Sequence, residues 1–391
     1  MSMTSVDELH EKACARAHLE DFGSDSYVEG LTVLVASLST EARLNDVGRH
    51  VLFGKLVKLL VHRLQIEDWY RRHPQIEDEK LLAPLIGVGL PRTGSSALSH
   101  LLNEDPQVRS LAAWMTMEPC PPPSTVPSPD PRIAAAQKSI EQQHRAAPGL
   151  AAMVPASALG PAECVEMLAL DFKSHVFGCF AHVPSYQDWL MHHADLRSAY
   201  RYERRVLKLL QWGLPQRPWR LKAPAHLPHI EALTHVFDDA RLVCTHRDPV
   251  AVMPSCFGLY EATTAMFTDH VDRSLIGKQN IDTWSLGMQR MMRFRDHGGE
   301  QRCFDIDHRE MQRDPIGVVE RLYDWLGQPV TPQFRAGMQQ WWRDNAADRQ
   351  TVTYKPLEAY GQDKARVEAA FAPYIERFIT PCGVNSAHGQ T

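Results

Sequence analysis

The chain has 391 residues, of which 44% are hydrophobic and 23% charged, enough apolar material for one large globular domain. Its net charge is −5 and no block of like charges stands out, which gives no basis for nucleic acid or an anionic membrane as partner. Any anion site must therefore be built locally.

The opening segment, MSMTSVDELHEKACARAHLEDFG, lacks an apolar signal core, and no later run approaches the ~20 apolar residues of a membrane span. A cytoplasmic enzyme without stable membrane association is the expectation. Residues 1–80 read as a helical region packed on the core: DSYVEGLTVLVASLST and RHVLFGKLVKLLVHRLQIEDWYRRH carry apolar residues three and four apart. APLIGVGL then has the length and composition of a buried strand. A glycine turn follows it, and SSALSHLLNED continues helically. The proline-dense passage Glu118–Arg132 excludes helix and central strand and should run extended over the surface.

Farther along, PAECVEMLALDF and DLRSAYRYERRVLKLLQWG are helical by period, the second charged on its outer face. Between Arg217 and Thr263 come a strand (WRLKA), a helix (HIEALTHVF), a second strand (ARLVCTH) and, after Asp248-Pro249, another helix with the usual start signal of Asp at the cap and Pro first. RCFDID is a last strand candidate, with helices from DPIGVVERLYDWLG onward. Strands alternating with helices predict an α/β fold with a central, mostly parallel sheet and helical elaborations at both ends, with ligands bound at the carboxyl ends of the strands. The eight cysteines (Cys14, Cys120, Cys164, Cys179, Cys244, Cys256, Cys303, Cys382) show no C-x-x-C and no paired metal spacing, and read as reduced thiols.

The turn after the first strand resembles a phosphate-binding loop that lacks its lysine. Against G-x-x-x-x-G-K-[ST], the run Gly89 to Ser96 keeps both glycines and the final hydroxyl but carries Ser95 at the lysine position. Such a turn aims backbone N–H groups and a helix dipole at one anion. Without the lysine that meets the β- and γ-phosphates, a nucleoside triphosphate would be poorly neutralised. A donor with one 5′-phosphate carrying a sulfuryl group needs less charge and no divalent metal, with Arg92 as the cation at that end. A plain strand-to-helix turn is the bland alternative.

A second anchor is Arg247, closing a strand, with Ser255 eight residues on in the next helix; an arginine fork plus a hydroxyl can hold a phosphate from two elements. Arg247 paired with Asp248 or another carboxylate is the alternative. Together, GVGLPRTGSSAL and RLVCTHRDPVAVMPS resemble the two donor-binding motifs of sulfotransferases that use 3′-phosphoadenosine 5′-phosphosulfate (PAPS). The likeness extends to PAECVEMLALDFKSHVF, YQDWL, YRYERRVLKLLQW and LKAPAHLPHIEALTHVF, and is closest to the bacterial family with a G-x-P-R-T-G-[TS]-[TS] loop.

The resemblance implies a P-loop-like three-layer sandwich. It divides the chain into the helical region 1–80 and a sulfotransferase domain 81–391, with a helical acceptor-pocket insertion at about 118–215. It implies PAPS as co-substrate, adenosine 3′,5′-bisphosphate as product, no metal, and a small-molecule acceptor with a hydroxyl or amine. Arg92, Thr93, Gly94, Ser95 and Ser96 would bind the 5′ side, Arg247 and Ser255 the 3′-phosphate.

In-line sulfuryl transfer must orient donor and acceptor, stabilise the bridging oxygen, and accept the acceptor's proton. Arg92 and Lys222 are the candidate cations, Lys222 matching the sulfate-facing lysine region; a strand-end surface lysine is its other reading. Glu163 resembles a catalytic carboxylate after the proline-rich passage, although acids in a first helical turn commonly just favour the dipole. His226 is the rival base. Many animal members of the family carry a catalytic histidine two residues after this lysine, whereas here the separation is four. YKPLEAYG resembles a loop closing over the donor, with Arg349 or Lys355 as 3′-phosphate contacts or merely packing and solvent-facing residues. Phe172, Phe177, Phe180, Tyr186 and Trp189 either line an apolar acceptor pocket or belong to the core. A P-loop kinase or NTPase with a degenerate loop, and a non-catalytic nucleotide-binding protein, are the competing readings. No heptad run forces a dimer, and oligomeric state is left open.

Overall fold

The protein, seen here as a computed structural model, is described over residues 4–346 and 352–380. Among these, five strands form one all-parallel sheet: β1 (Leu85–Gly89), β2 (Arg109–Ser110), β3 (Trp219–Lys222), β4 (Arg241–His246) and β5 (Cys303–Asp307), in the order β2-β3-β1-β4-β5. The central strand β1 is buried along its whole length, and its near-continuous apolar reading is what a strand covered on both faces requires. The chain leaves β1 toward β2 on one side and leaves β4 toward β5 on the other. Loops following β1 and β4 therefore diverge above the carboxyl edge, the place where open parallel sheets bind their ligands.

Side-chain alternation along the strands builds two apolar layers. Leu85 and Val243 face a cluster with Leu98 and Leu101 of the helix Ser95–Asn103, Val318 and Leu322 of Pro315–Leu326, and Phe334 and Met338 of Pro332–Ala346. Ile86, Val88, Leu242 and Cys244 face the larger core, which runs from Leu9 to Tyr374. Helix, sheet and helix make three layers.

The N-terminal region consists of the helices Val6–Ala17, Val28–Thr40 and Asp46–Arg72, as the periodicity predicts. Ser5 and Asn45 cap the first and third through bonds from Glu8 N (3.1 Å) and Gly48 N (2.8 Å). Arg63 is fully buried. It donates to Phe22 O (2.7 Å), Ser24 O (2.7 Å), Leu170 O (3.1 Å) and Asp171 Oδ1 (3.3 Å), while Lys173 meets the other Asp171 oxygen at 3.1 Å. A charge so placed is tolerated because each of its three nitrogens meets an acceptor and Asp171 supplies the counter-charge.

Four of the five strands fall where the sequence places them; the two-residue β2 carries no sequence signal. PAECVEMLALDF is not a continuous helix. It breaks into Val165–Leu168 and a 3-10 turn Ala169–Asp171, ending at Phe172 in the left-handed region (φ 51°). HIEALTHVF is helical only from Ile230, because Pro224 and Pro228 shape the preceding residues into a 3-10 segment. The proline-rich passage is extended apart from one short turn, Pro123–Thr125, and a helix restarts at Pro131 behind the Asp130 cap. No helix among the described residues is long and apolar enough to cross a membrane.

Candidate active site

The loop after β1 has backbone demands that only glycine meets cheaply. Gly89 has φ +134°, and a Cβ there would stand 2.7 Å from the Thr245 carbonyl; Gly94 has φ +92°, with His308 Nδ1 3.1 Å from where its Cβ would sit. Thr93 ties the loop down, its Oγ1 donating to Leu90 O (2.8 Å) and meeting Thr245 Oγ1 at 2.6 Å, while His308 Nδ1 donates to Thr93 O at 3.1 Å. The helix Ser95–Asn103 starts directly at Gly94 and no side chain caps it. Its first-turn N–H groups therefore point at the crevice without an intrahelical partner, the arrangement that suits an anion. Ser95 sits at the first helical position, nearly buried.

Beside this loop, Lys222 ends β3, opposite Gly87 of β1 in the sheet register. A Cβ on Gly87 would lie 2.9 Å from Lys222 Cγ, so the missing side chain is what lets the lysine stem lie across β1. Lys222 Nζ reaches Glu163 Oε1 at 2.5 Å and Ser96 Oγ at 3.4 Å. Glu163 is held from both sides, since Ala162 N donates to Leu111 O (2.7 Å) and Cys164 N to Lys222 O (3.1 Å). The lysine is 7% exposed and the glutamate 38%, so the carboxylate is the partner that faces solvent.

On the β4 side, Arg247 donates through Nη1 to the Arg92 carbonyl at 3.0 Å. Asp248 accepts from Val250 N (2.9 Å) and caps the helix Pro249–Thr264, as its sequence signal predicts. Ser255 lies in that helix, 8% exposed, with its hydroxyl on Val252 O at 3.1 Å. Arg92 itself adopts a left-handed backbone (φ 65°), a conformation that costs a non-glycine residue about 1–2 kcal/mol. Its guanidinium donates to Met153 O (2.9 Å) and the Tyr354 hydroxyl (3.1 Å). The side-chain partners of Arg92 and Arg247 among the described residues are neutral, and burial together with the neighbouring Arg92 presses the Arg247 guanidinium below its ordinary pKa. Two adjacent cations with neutral partners leave positive charge for a ligand.

The structure thus brings Glu163, Lys222 and Ser96 to one point and Arg92 with Arg247 to another. His226 joins neither group. It is 0% exposed, its Nδ1 stands 3.1 Å from the Tyr200 hydroxyl, and burial followed by the Lys222 charge lowers its pKa to about 3. Phe172, Phe177, Tyr186 and Trp189 are core residues, the Tyr186 hydroxyl donating to Phe172 O at 2.8 Å; Phe180 is partly exposed, edge-on to Phe267. Lys355 pairs with Glu261 at 2.6 Å, and Arg349 lies outside the described residues.

The sequence pattern of the sulfotransferase family matches residues 84–332, more than half of the chain. The chain belongs to the sulfotransferase family. Two solved sulfotransferases resemble it over nearly their full length. Sulfotransferase STF9 from Mycobacterium avium is 32% identical, with 97% of each chain covered and a TM-score of 0.89. Sulfotransferase STF1 from Mycobacterium tuberculosis H37Rv is 31% identical, covering 95% of this chain and 99% of its own, with a TM-score of 0.84. No curated protein matches. Family and fold set aside the kinase reading of the loop.

Four residues of this sulfotransferase site escaped the sequence reading: Gly87, Thr245, His308 and Tyr354. Gly87 had a signal, since glycine inside a buried strand marks a close approach. Thr245, His308 and Tyr354 act through contacts across the fold, at separations no local pattern reveals.

Proposed function

We propose that this sulfotransferase moves a sulfuryl group from PAPS to a hydroxyl or amine of a small acceptor. The observation that carries the proposal is the 2.5 Å contact between Glu163 and Lys222, with Lys222 Nζ also 3.4 Å from Ser96 at the start of the loop helix. A carboxylate open to the crevice, a buried ammonium and an uncapped helix N-terminus meet there.

The residues suit such a donor. The loop offers backbone N–H groups and no lysine at the triphosphate position, fitting a single 5′-phosphate bearing sulfate. Arg92 through Ser96 would hold that end, and Arg247 with Ser255 the 3′-phosphate, where a bidentate arginine contact is strongest. The Arg92 guanidinium is held by two neutral groups and so stays available to a bound anion.

In the reaction, the acceptor oxygen or nitrogen forms a bond to sulfur while the bond from sulfur to the bridging phosphate oxygen breaks. Glu163 takes the acceptor's proton, being the candidate base with an exposed carboxylate; a base must come within hydrogen-bond reach of the group it deprotonates. His226, fully buried against Tyr200, lacks that reach. Lys222 meets the charge growing on the bridging oxygen, in a site where such an interaction is strong because water is scarce. No metal has a role in these steps. Incubation with sulfur-labelled PAPS and a panel of phenols, alcohols and amines tests the proposal: label should pass to at least one class with the native chain and at least about 100-fold more slowly with Glu163→Gln. Transfer by Glu163→Gln at the native rate would refute the assignment of the base.

A further inference from the structure

Directly behind Glu163 and Lys222 lies a cluster that sulfuryl transfer does not use. Cys164, Glu203 and His226 come from three separate segments, and each is 0% exposed. The Cys164 thiol, a Glu203 carboxylate oxygen and a His226 ring nitrogen all lie within 4.8 Å of one another. Glu203 belongs to the core-facing stripe of the helix Arg197–Gln211, with Ala199, Tyr200, Val206 and Leu210, where an apolar side chain is the normal occupant.

The cluster has unmet polar capacity. Both carboxylate oxygens of Glu203 and Nε2 of His226 are buried with no partner at good hydrogen-bond geometry, Glu203 having only the weakly donating Cys164 thiol beside it. Buried polar atoms are nearly always paired, and three orphans in one place call for a common partner. A thiolate, a carboxylate and an imidazole form a donor set of borderline softness, the kind that binds zinc. Two negative ligands and one neutral ligand also balance a divalent cation, leaving no net charge in the core.

We propose that Cys164, Glu203 and His226 form a buried structural site for a divalent transition metal, with zinc the best fit and Glu203 completing four-coordination by binding through both of its unpartnered oxygens. Tetrahedral zinc ligands lie roughly 3.5 Å apart, so the three groups close inward by about an ångström around the ion. The Tyr200 hydroxyl, 3.1 Å from His226 Nδ1, fixes the ring from its other side, the outer support usual for a metal-bound histidine. Such an ion would staple the reaction centre from behind. Cys164 is next to Glu163 and donates its backbone N–H to the Lys222 carbonyl at 3.1 Å, while His226 follows Lys222 in the chain with its own N–H on Ala223 O at 3.1 Å. The ion would therefore hold the carboxylate and the ammonium in register without touching donor or acceptor.

The test is metal analysis of the full-length protein from cells grown with zinc, together with the absorption spectrum of protein from cells grown with cobalt. The expected result is about one zinc per chain and a thiolate-to-cobalt charge-transfer band, with metal and band both lost in Cys164→Ala. Glu203→Gln should weaken metal retention while keeping the thiolate band if any cobalt remains. Zinc far below one per chain with no thiolate band would overturn the proposal, as would a full complement of metal in a folded Cys164→Ala protein. If either variant fails to fold, the cobalt spectrum of the native chain decides alone.

Discussion

Glu163 and Lys222 sit on separate segments and meet at 2.5 Å, a pairing that makes two distinct predictions. Removing the carboxylate's basicity in Glu163→Gln should lower kcat by roughly 10²–10⁴-fold, the usual worth of a positioned base, while leaving the affinity for adenosine 3′,5′-bisphosphate within about twofold. Gly87→Ala should push the Lys222 stem off β1 and lower kcat by about 10- to 100-fold with the same unchanged product affinity, because small misplacements at a reacting centre are costly. Turnover and calorimetric titration on each variant check both. A Gly87→Ala enzyme with native kcat would show that the lysine's path across β1 does not matter. Arg247→Ala instead should weaken the bisphosphate roughly 10- to 150-fold, the worth of hydrogen bonds to a charged group, with little change in melting temperature. Of the residues read from the sequence, Lys222 and Glu163 meet at the end of β3 and Arg247 reaches the loop of Arg92, whereas His226 is buried. Histidine identity and chain spacing could suggest a base there; only its full burial against Tyr200 shows that the ring is closed off from a substrate.

Element boundaries were legible where one residue type dictates them. The helix Pro249–Thr264 begins at Asp248-Pro249 because the carboxylate accepts from Val250 N and proline has no N–H to lose. Asp248→Ala should cost about 1 kcal/mol of stability, measurable as a shift in the urea midpoint, and should loosen the turn that carries Arg247. A midpoint unchanged from the native chain would mean that the cap is replaced by solvent at no cost. The breaks were harder to read. PAECVEMLALDF has helical periodicity, yet Asp171 is drawn into the buried network with Arg63, Lys173 and Ser198, and that tertiary demand turns the chain at Phe172. β2 is only two residues long and pairs with β3 alone, so its existence depends on a neighbour more than 100 positions away in the chain.

At the scale of the molecule, the alternation of strands and helices sufficed to imply a parallel sheet with its ligand crevice at the carboxyl edge; strand order, and with it which loops face each other, came only from the structure. The buried histidines add a pH dependence that the sequence could not disclose. Burial, and then the charge of Arg290, lower the pKa of His175 from 6.5 to about 4, where it lies Nε2 to Nε2 with His229 at 3.0 Å. The folded state thus binds fewer protons than the unfolded chain between these values, so this stability is present above pH 6.5 and is lost as pH falls toward 4. At pH 5 the loss from His175 is about 2 kcal/mol relative to pH 7.5, and urea midpoints at the two pH values should differ accordingly, with a smaller difference in His175→Gln. An equal difference in both proteins would place the pH dependence elsewhere.

The most direct test of the donor assignment is calorimetric titration of the full-length protein, without added magnesium, with adenosine 3′,5′-bisphosphate and with ATP. The expected result is tight binding of the bisphosphate and weak or no binding of ATP, since the loop presents Ser95 where a triphosphate needs lysine while Arg247 and Ser255 are the residues proposed to take a 3′-phosphate. Equal or tighter binding of ATP, or a bisphosphate affinity that requires magnesium, would contradict it.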